Sequence, residues 1–302
     1  MNKKPKKIAI ISSSPLMMML ALKLKKDGEN VTVFESSSVK GGAWTWFKDY
    51  LNKYKTYVSR YTNTIHPYNK KEARFINRMN KYLKKNFKIK IKKTNQKFSI
   101  NYKFKEKFIY DFSEFYKGVY AQNELDFAND FVSKIQTLPN KKVKINEKML
   151  FDKVFLPSFS GVKKIKINNK KLFHSECREI VSEHISIIAK KFKLKNFHYS
   201  QFFDDCFDRI KIDKTKNFYT LTARLDHSIK GIKVSKLRNS YLDRFAEKKD
   251  IIDVRLSKYH NYYRNGQQLR DLKKATMGSN IKYVETTQFM CGIYSLRKIL
   301  NV

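Results

Sequence analysis

Residues Lys7 to Phe47 limit what this chain can fold into more than any other stretch. Lys7-Ile8-Ala9-Ile10-Ile11 reads as a buried strand, Ser12-Ser13-Ser14 as a tight turn, and Pro15 to about Lys26 as a helix. Ser14 suits the N-cap, and Pro15 the first helical position, where its missing N–H costs nothing. Leu16, Met17, Met18, Met19, Leu20, Ala21, Leu22 and Leu24 make the helix apolar nearly all round, which predicts burial on more than one side. Asp27-Gly28 ends it. A second strand, Val31 to Phe34, leads to Glu35 and a loop carrying Gly41-Gly42. This is the ground plan of a dinucleotide-binding βαβ unit. Its acidic residue stands about 20 residues past the turn, where a carboxylate can hold a ribose hydroxyl. The three glycines of G-x-G-x-x-G fall here on Ser12, Ser14 and Met17.

The rest of the composition is that of a globular chain. With 302 residues it can bury a substantial core, and 18 Tyr and 23 Phe argue against disorder. A net charge of +38 suggests a polyanion partner, but 53 of the 65 basic residues are Lys. Specific phosphate and base recognition favours Arg. Lysine, asparagine and isoleucine spread over the whole chain fit the coding bias of an AT-rich genome, so nucleic acid is not the expected partner. Cys177, Cys206 and Cys291 form neither a disulfide framework nor a C-x-x-C motif, which points to a reducing cytoplasm. The basic and apolar amino terminus lacks a signal-peptide cleavage pattern, and no apolar run is long enough to span a bilayer. Charge alone would allow contact with an anionic membrane surface.

Beyond Tyr54 the texture changes. Residues 72–86 predict a helix with Ala73, Ile76, Met79, Tyr82 and Leu83 on one face. Residues 87–108 alternate as strands of a half-exposed sheet with 11 lysines between Lys81 and Lys107. Residues 109–155 read as mixed and mostly helical. Asn168-Asn169 marks a hairpin between 163 and 172. Ser175 is placed to cap a helix reaching about Phe192, with Ile180, Val181, Ile185, Ile188 and Phe192 inward. Strands are expected at 196–202, 206–213 and 217–224, then a basic segment at 228–250 and a strand and turn near Arg264-Asn265-Gly266. A strand (281–285) and a helix (about 291–300) close the chain.

Three of these pieces resemble the FAD-linked amine-oxidase-like flavoproteins, the superfamily of monoamine oxidases, protoporphyrinogen oxidases, phytoene desaturases and UDP-galactopyranose mutases. The first is Ile8 to Glu35, five residues, then Gly41-Gly42. The second is Cys291-Gly292-x-x-Ser295-Leu296-x-x-Ile299-Leu300, similar to the closing helix whose amino end faces the flavin. The third is the order of parts. The resemblance implies an α/β fold: a Rossmann-like FAD/NAD(P)-binding domain (1–53, 156–227 and 270–302) with an inserted α+β substrate-type domain (54–155 and 228–269). It implies FAD held by Ser12, Ser14, Glu35, Gly41, Gly42 and Gly292, and names no catalytic side chain. Losing the glycines that let backbone approach the pyrophosphate predicts binding that is weak or lost, although a helix N-terminus and serine hydroxyls still offer donors.

Other constellations carry less. Asp204-Asp205-x-x-Asp208 reads as a solvated acidic corner, and His174, Cys177 and His184 lack zinc spacing, so no metal is expected. Trp44 and Trp46 either stack on a cofactor ring or anchor their loop. Three functions stay open: a flavin-dependent oxidoreductase acting on an unknown small molecule, a cofactor-free descendant serving as a binding or scaffold protein, and a basic polyanion-binding protein.

Overall fold

A computed structural model describes residues 4–37, 39–65, 67, 70–95, 97–98, 108–158, 160–173, 178–193, 199–201, 207–225 and 242–285. Strands are numbered in chain order. At its centre is a five-stranded parallel sheet, in the order β19 (Ile281–Val284), β11 (Lys153–Pro157), β1 (Lys7–Ile11), β2 (Asn30–Phe34) and β7 (Asp126–Ala128). Its three inner strands, β11, β1 and β2, are buried on both faces over most of their length, the condition under which a strand reads as a continuous apolar run. Ile8 and Ile10 face one core, with helix α1 (Pro15–Lys26), helix α3 (Lys70–Phe87) and helix α4 (Ser113–Gln122), while helix α2 (Lys48–Tyr54) packs its Tyr50 elsewhere, beside Phe47, Val58 and Ile188. Ala9 and Ile11 face the other core, where Leu272 of the helix Gly266–Thr276 packs beside Val154 and Leu156. Helix α1 buries every residue from Pro15 to Leu22, as its all-round apolar sequence requires.

A second sheet runs β10 (Met149–Phe151), β9 (Val143–Ile145), β8 (Lys134–Thr137), β12 (Lys164–Ile167) and β13 (Lys170–Phe173). Asn168 and Asn169 turn the β12–β13 hairpin with φ of 47° and 64°, the left-handed pair that such a turn needs. A third, six-stranded sheet runs β18 (Ile251–Tyr263), β14 (Arg178–Ala189), β17 (Tyr219–Leu225), β16 (Phe207–Lys214), β15 (Tyr199–Gln201) and β5 (Lys97–Phe98). One of its faces is apolar, with Ile185, Ile187, Ile210, Ile212, Leu221 and Ala223 packed around Phe245. The other buries Ser182, His184, Ser186, Lys211, Thr220 and Thr222. The smallest sheet joins β3 (Thr64–Ile65), β6 (Phe108–Asp111) and β4 (Lys92–Asn95).

Three local expectations are corrected. Residues 178–189, expected within a helix over 175–192, form β14, paired on both sides with β17 and β18. Within 109–155 only α4 is helical among the described residues, and five short strands, β7 to β11, follow it. Residues 87–91 alternate in burial but form no strand. Helix α3 runs to Phe87, Lys88 turns at φ 57°, and the Asn80 side chain then grips both backbone groups of Ile91, at 2.8 and 2.9 Å. The remainder of the lysine-rich sheet lies largely outside the described residues, as do Cys177, Cys206, Cys291, His174, Asp204, Asp205 and the expected closing helix with Gly292. A helix missed in sequence begins at Gly266, capped by a reciprocal pair of bonds between Asn265 and Gln268.

Candidate dinucleotide-binding site

The carboxyl end of β1 meets the amino end of α1 through the serine turn. Ser12 has φ 92°, the left-handed conformation that a glycine would take without strain and that a serine adopts at a cost. It still continues the strand ladder, donating its N–H to the Phe34 carbonyl at 2.8 Å. Its hydroxyl accepts from the Ser14 N–H at 3.2 Å. Ser14 occupies the N-cap position, but its hydroxyl makes no capping bond and is buried without a partner. The first turn of α1 carries no acidic residue, while Lys23, Lys25 and Lys26 crowd its last turn, so the positive end of the helix dipole is uncompensated by charge. Met17 is fully buried, and its side chain is part of the core where a third glycine would have drawn helix and strand together.

Glu35 stands at the tip of β2 beside this turn. The Ser13 hydroxyl donates to its Oε2, and the Ser37 N–H to its Oε1 at 2.9 Å. Gly41 and Gly42 both have positive φ, 80° and 51°. A Cβ on Gly42 would stand 3.6 Å from the Glu35 carboxylate, whereas one on Gly41 would fall 2.1 Å from the Tyr120 hydroxyl. The structure therefore brings Ser12, Ser14, Glu35, Gly41 and Gly42 together.

Sequence reasoning missed the wall of this site. Tyr116 and Tyr120, one turn apart on α4, stack with ring centres 6.0 Å apart. The Tyr116 hydroxyl donates to the Ser13 carbonyl at 2.6 Å, while that of Tyr120 is buried without a partner. Burial above all pushes both phenols above their ordinary range, helped at Tyr116 by Tyr120 and then Glu35, and at Tyr120 by the negative charge of Glu35. The spacing of Phe112, Phe115, Tyr116, Val119 and Tyr120 marks a buried helix face, but nothing in it says which element that face covers. Trp44 packs on Tyr61, Phe112 and Tyr116, and Trp46 on Tyr57 and Tyr120, so both tryptophans anchor their loop in protein.

The set fits a dinucleotide in part. The turn conformation, the helix amino end and the acid at the second strand tip are retained, and the buried hydroxyls of Ser14 and Tyr120 are unused. Against this, both Glu35 oxygens already accept from the chain itself.

Away from the turn, the exposed side of α3 carries an open groove of about 500 Å³ lined by Lys71, Arg74, Asn77, Arg78 and Lys81. Among the described residues no three His, Cys, Asp or Glu side chains cluster to hold a metal, and no helix is long and apolar enough to cross a membrane.

The chain has the FAD-binding Rossmann-like fold of FAD-dependent oxidoreductases. Its architecture matches glycine oxidase from Bacillus cereus with a TM-score of 0.55 and 10% identity, over 98% of this chain and 96% of that enzyme. An FAD-dependent oxidoreductase from Pseudomonas aeruginosa matches with a TM-score of 0.53 and 10% identity, over 100% and 91%. A flavin-dependent halogenase matches at 0.50 and 12% identity over 99% of this chain, which spans only 57% of that enzyme's length. No protein-family model and no curated protein sequence matches. The likeness extends across these flavoproteins and does not single out the amine-oxidase class.

Proposed function

We propose that this protein is an FAD-dependent oxidoreductase of the amine-oxidase-like class whose dinucleotide binding is weakened. The observation that carries the reading is Ser12 at φ 92°: the turn keeps a glycine's conformation without the glycine, beside an acid at the second strand tip. In this reading Glu35 accepts from the ribose hydroxyls, exchanging the Ser13 hydroxyl for them. The turn and first-helical N–H groups receive the pyrophosphate, and Ser14 adds a hydroxyl. Gly41 and Gly42 let the loop pass close to the dinucleotide, and Gly292, outside the described residues, is assigned to the flavin end. Bound FAD would supply hydride acceptance, and the protein binding and orientation. The same proposal divides the chain into a dinucleotide unit and an inserted substrate-type unit. Sheet membership supports giving the parallel strands to the former and moving the strands of 178–225 to the latter, where β18 already stands.

The test is titration of the purified protein with FAD and with ADP. Loss of two charge-assisted phosphate bonds, at about 1.5–3 kcal/mol each, predicts affinity reduced by about 10² to 10⁴ relative to an intact glycine turn. The protein should purify mostly colourless and take up FAD on titration, and Glu35→Ala should abolish uptake. No binding at any concentration would favour the cofactor-free descendant.

A further inference from the structure

Helix α3 has two unlike faces. Phe75, Ile76, Met79, Leu83 and Phe87 are buried in the core beside Ile8 and Ile10. The opposite face is exposed and basic. Lys71, Arg74, Arg78 and Lys81 recur at steps of three and four residues, which sets them in one row about 15 Å long. Together with Asn77 they line the open groove of about 500 Å³. The row continues past the groove through Lys85 and Lys88, both exposed. The one carboxylate of the helix, Glu72, lies on the buried side. Among the described residues none of the four groove cations forms an ion pair. Like charges at this spacing repel one another, so the row is stabilised by an anion laid along it.

Asn77 narrows the chemistry of that anion. The Tyr110 hydroxyl donates to its Oδ1 at 3.0 Å, so the amide N–H groups are what this side chain has left for the groove. Among the described residues the groove is therefore lined by donors alone, four of them charged, which suits phosphate oxygens. A row longer than the groove suits a chain of phosphates better than a single one. A membrane surface fits less well. The apolar face of α3 is committed to the core, and none of the exposed large apolar side chains stands on this helix, so nothing here can enter a bilayer. The lysine excess that speaks against nucleic acid for the chain as a whole does not hold in the groove. Two of its four cations are arginine, against 12 of 65 overall. A guanidinium forks onto a phosphate and also lies flat on an unstacked base, a second contact that a bare polyphosphate does not use. A groove of this size takes in one strand and not a duplex.

We propose that the groove on α3 binds single-stranded nucleic acid by its phosphates, with Arg74 and Arg78 as the central contacts and Lys71 and Lys81 flanking them. The inference does not rest on the flavoprotein reading.

The test is fluorescence anisotropy of a fluorescein-labelled oligouridylate titrated with the full chain, without added flavin, across about 50–200 mM sodium chloride. Each phosphate neutralised on a single strand contributes about 0.7 to the slope of log affinity against log salt. Arg74→Gln combined with Arg78→Gln should make that slope shallower by about 1.4. Lys273→Gln combined with Lys274→Gln removes the same charge from exposed positions of the helix Gly266–Thr276, which packs on the opposite face of the parallel sheet. This second pair should leave the slope at the parent value. Equal slopes in the two double variants, or no saturable binding by the parent, would overturn the proposal. A further readout needs no variant to fold. Bound oligouridylate should slow acetylation of Lys71 and Lys81, read by peptide mass spectrometry, and leave that of Lys273 unchanged; acetylation of Lys71 and Lys81 at the unbound rate would overturn it as well. Unlabelled competitors identify the source of the phosphates. Duplex DNA, inorganic polyphosphate, or vesicles of phosphatidylcholine and phosphatidylserine in equal parts should each displace the probe less well, phosphate for phosphate, than unlabelled oligouridylate. Any of them displacing it better would assign the groove to that competitor and overturn the single strand.

Discussion

The hydroxyl of Tyr116 reaches across 103 residues of sequence to donate to the Ser13 carbonyl at 2.6 Å. Helix α4 is thereby tied to the one turn that the βαβ unit cannot move. Tyr116→Phe keeps the ring stack with Trp44 and Tyr120 but leaves a buried carbonyl without its donor. Stability should fall by about 1–3 kcal/mol. Urea unfolding with an unchanged m-value would register it as a lower midpoint, and an unaltered midpoint would mean that water replaces the phenol.

Ser12→Gly removes a side chain from a left-handed residue, a strain of about 1–2 kcal/mol, and should raise the melting temperature. Combined with Ser14→Gly it should also tighten FAD and ADP binding, measured by titration. Restoring the third glycine is a different matter. Met17 is fully buried in the α1 core, and truncating a buried methionine costs about 2–5 kcal/mol before any loss of helix propensity. Met17→Gly should therefore unfold or severely destabilise the protein whatever it does for the cofactor.

What could be read in advance follows from how each element is buried. The βαβ unit was legible because a parallel strand covered on both faces, a capped apolar helix and a strand ending in Glu35 each leave a distinct local signature. Strand β14 was not legible, because Ser182, His184 and Ser186 on its polar face are as buried as Ile185 and Ile187 on the other. With both faces buried the period of two fades, and the spacing of Ile180, Ile185 and Ile188 imitates a helix. Its β-branched residues favoured a strand all along. The strands β7 to β10 are three or four residues long, too short for any period to show. Tyr116 and Tyr120 join the site only through tertiary contacts, which no local pattern reports.

The two loop glycines should differ in tolerance. Gly41→Ala places a Cβ 2.1 Å from the Tyr120 hydroxyl and 2.4 Å from the Thr45 methyl, at φ 80°. Gly42→Ala meets nothing closer than 3.6 Å and carries only the backbone strain of φ 51°. The first should cost more than the second by about 1–3 kcal/mol, the range for forced repacking. Thermal denaturation of the two variants side by side decides it, and equal losses would mean that the Tyr120 ring moves aside freely.

Lys211 and Asp111 form a buried ion pair at 2.8 Å that joins the six-stranded sheet to β6, with Asp213 at 3.1 Å and Ser113 at 3.0 Å as further partners of the ammonium. Burial alone would raise the Asp111 pKa, but the charge and hydrogen bond of Lys211 outweigh it and hold the carboxyl below its ordinary range. Burial likewise opposes the Lys211 charge, and the two aspartates more than restore it, leaving the ammonium above its ordinary range. The depressed Asp111 contributes stability that is present above the unfolded value of about 3.9 and lost as pH falls through the lower folded value. The raised Lys211 contributes stability that is complete below about 10.4 and lost as pH rises through the higher folded value. Between those limits the pair should give a flat profile. Lys211→Met strands the Asp111 charge in the core, a loss of about 3–5 kcal/mol at neutral pH. It also reverses the sign on the acid side. Without the ammonium, burial and the neighbouring Asp213 raise the Asp111 pKa above its unfolded value, so protonation favours the folded state. Urea unfolding of the variant should then show stability increasing as pH is lowered through that raised value toward the unfolded value of about 3.9. The parent protein should show no such gain over the same range, and a variant that loses stability with acid as the parent does would mean that Asp111 draws its compensation from elsewhere.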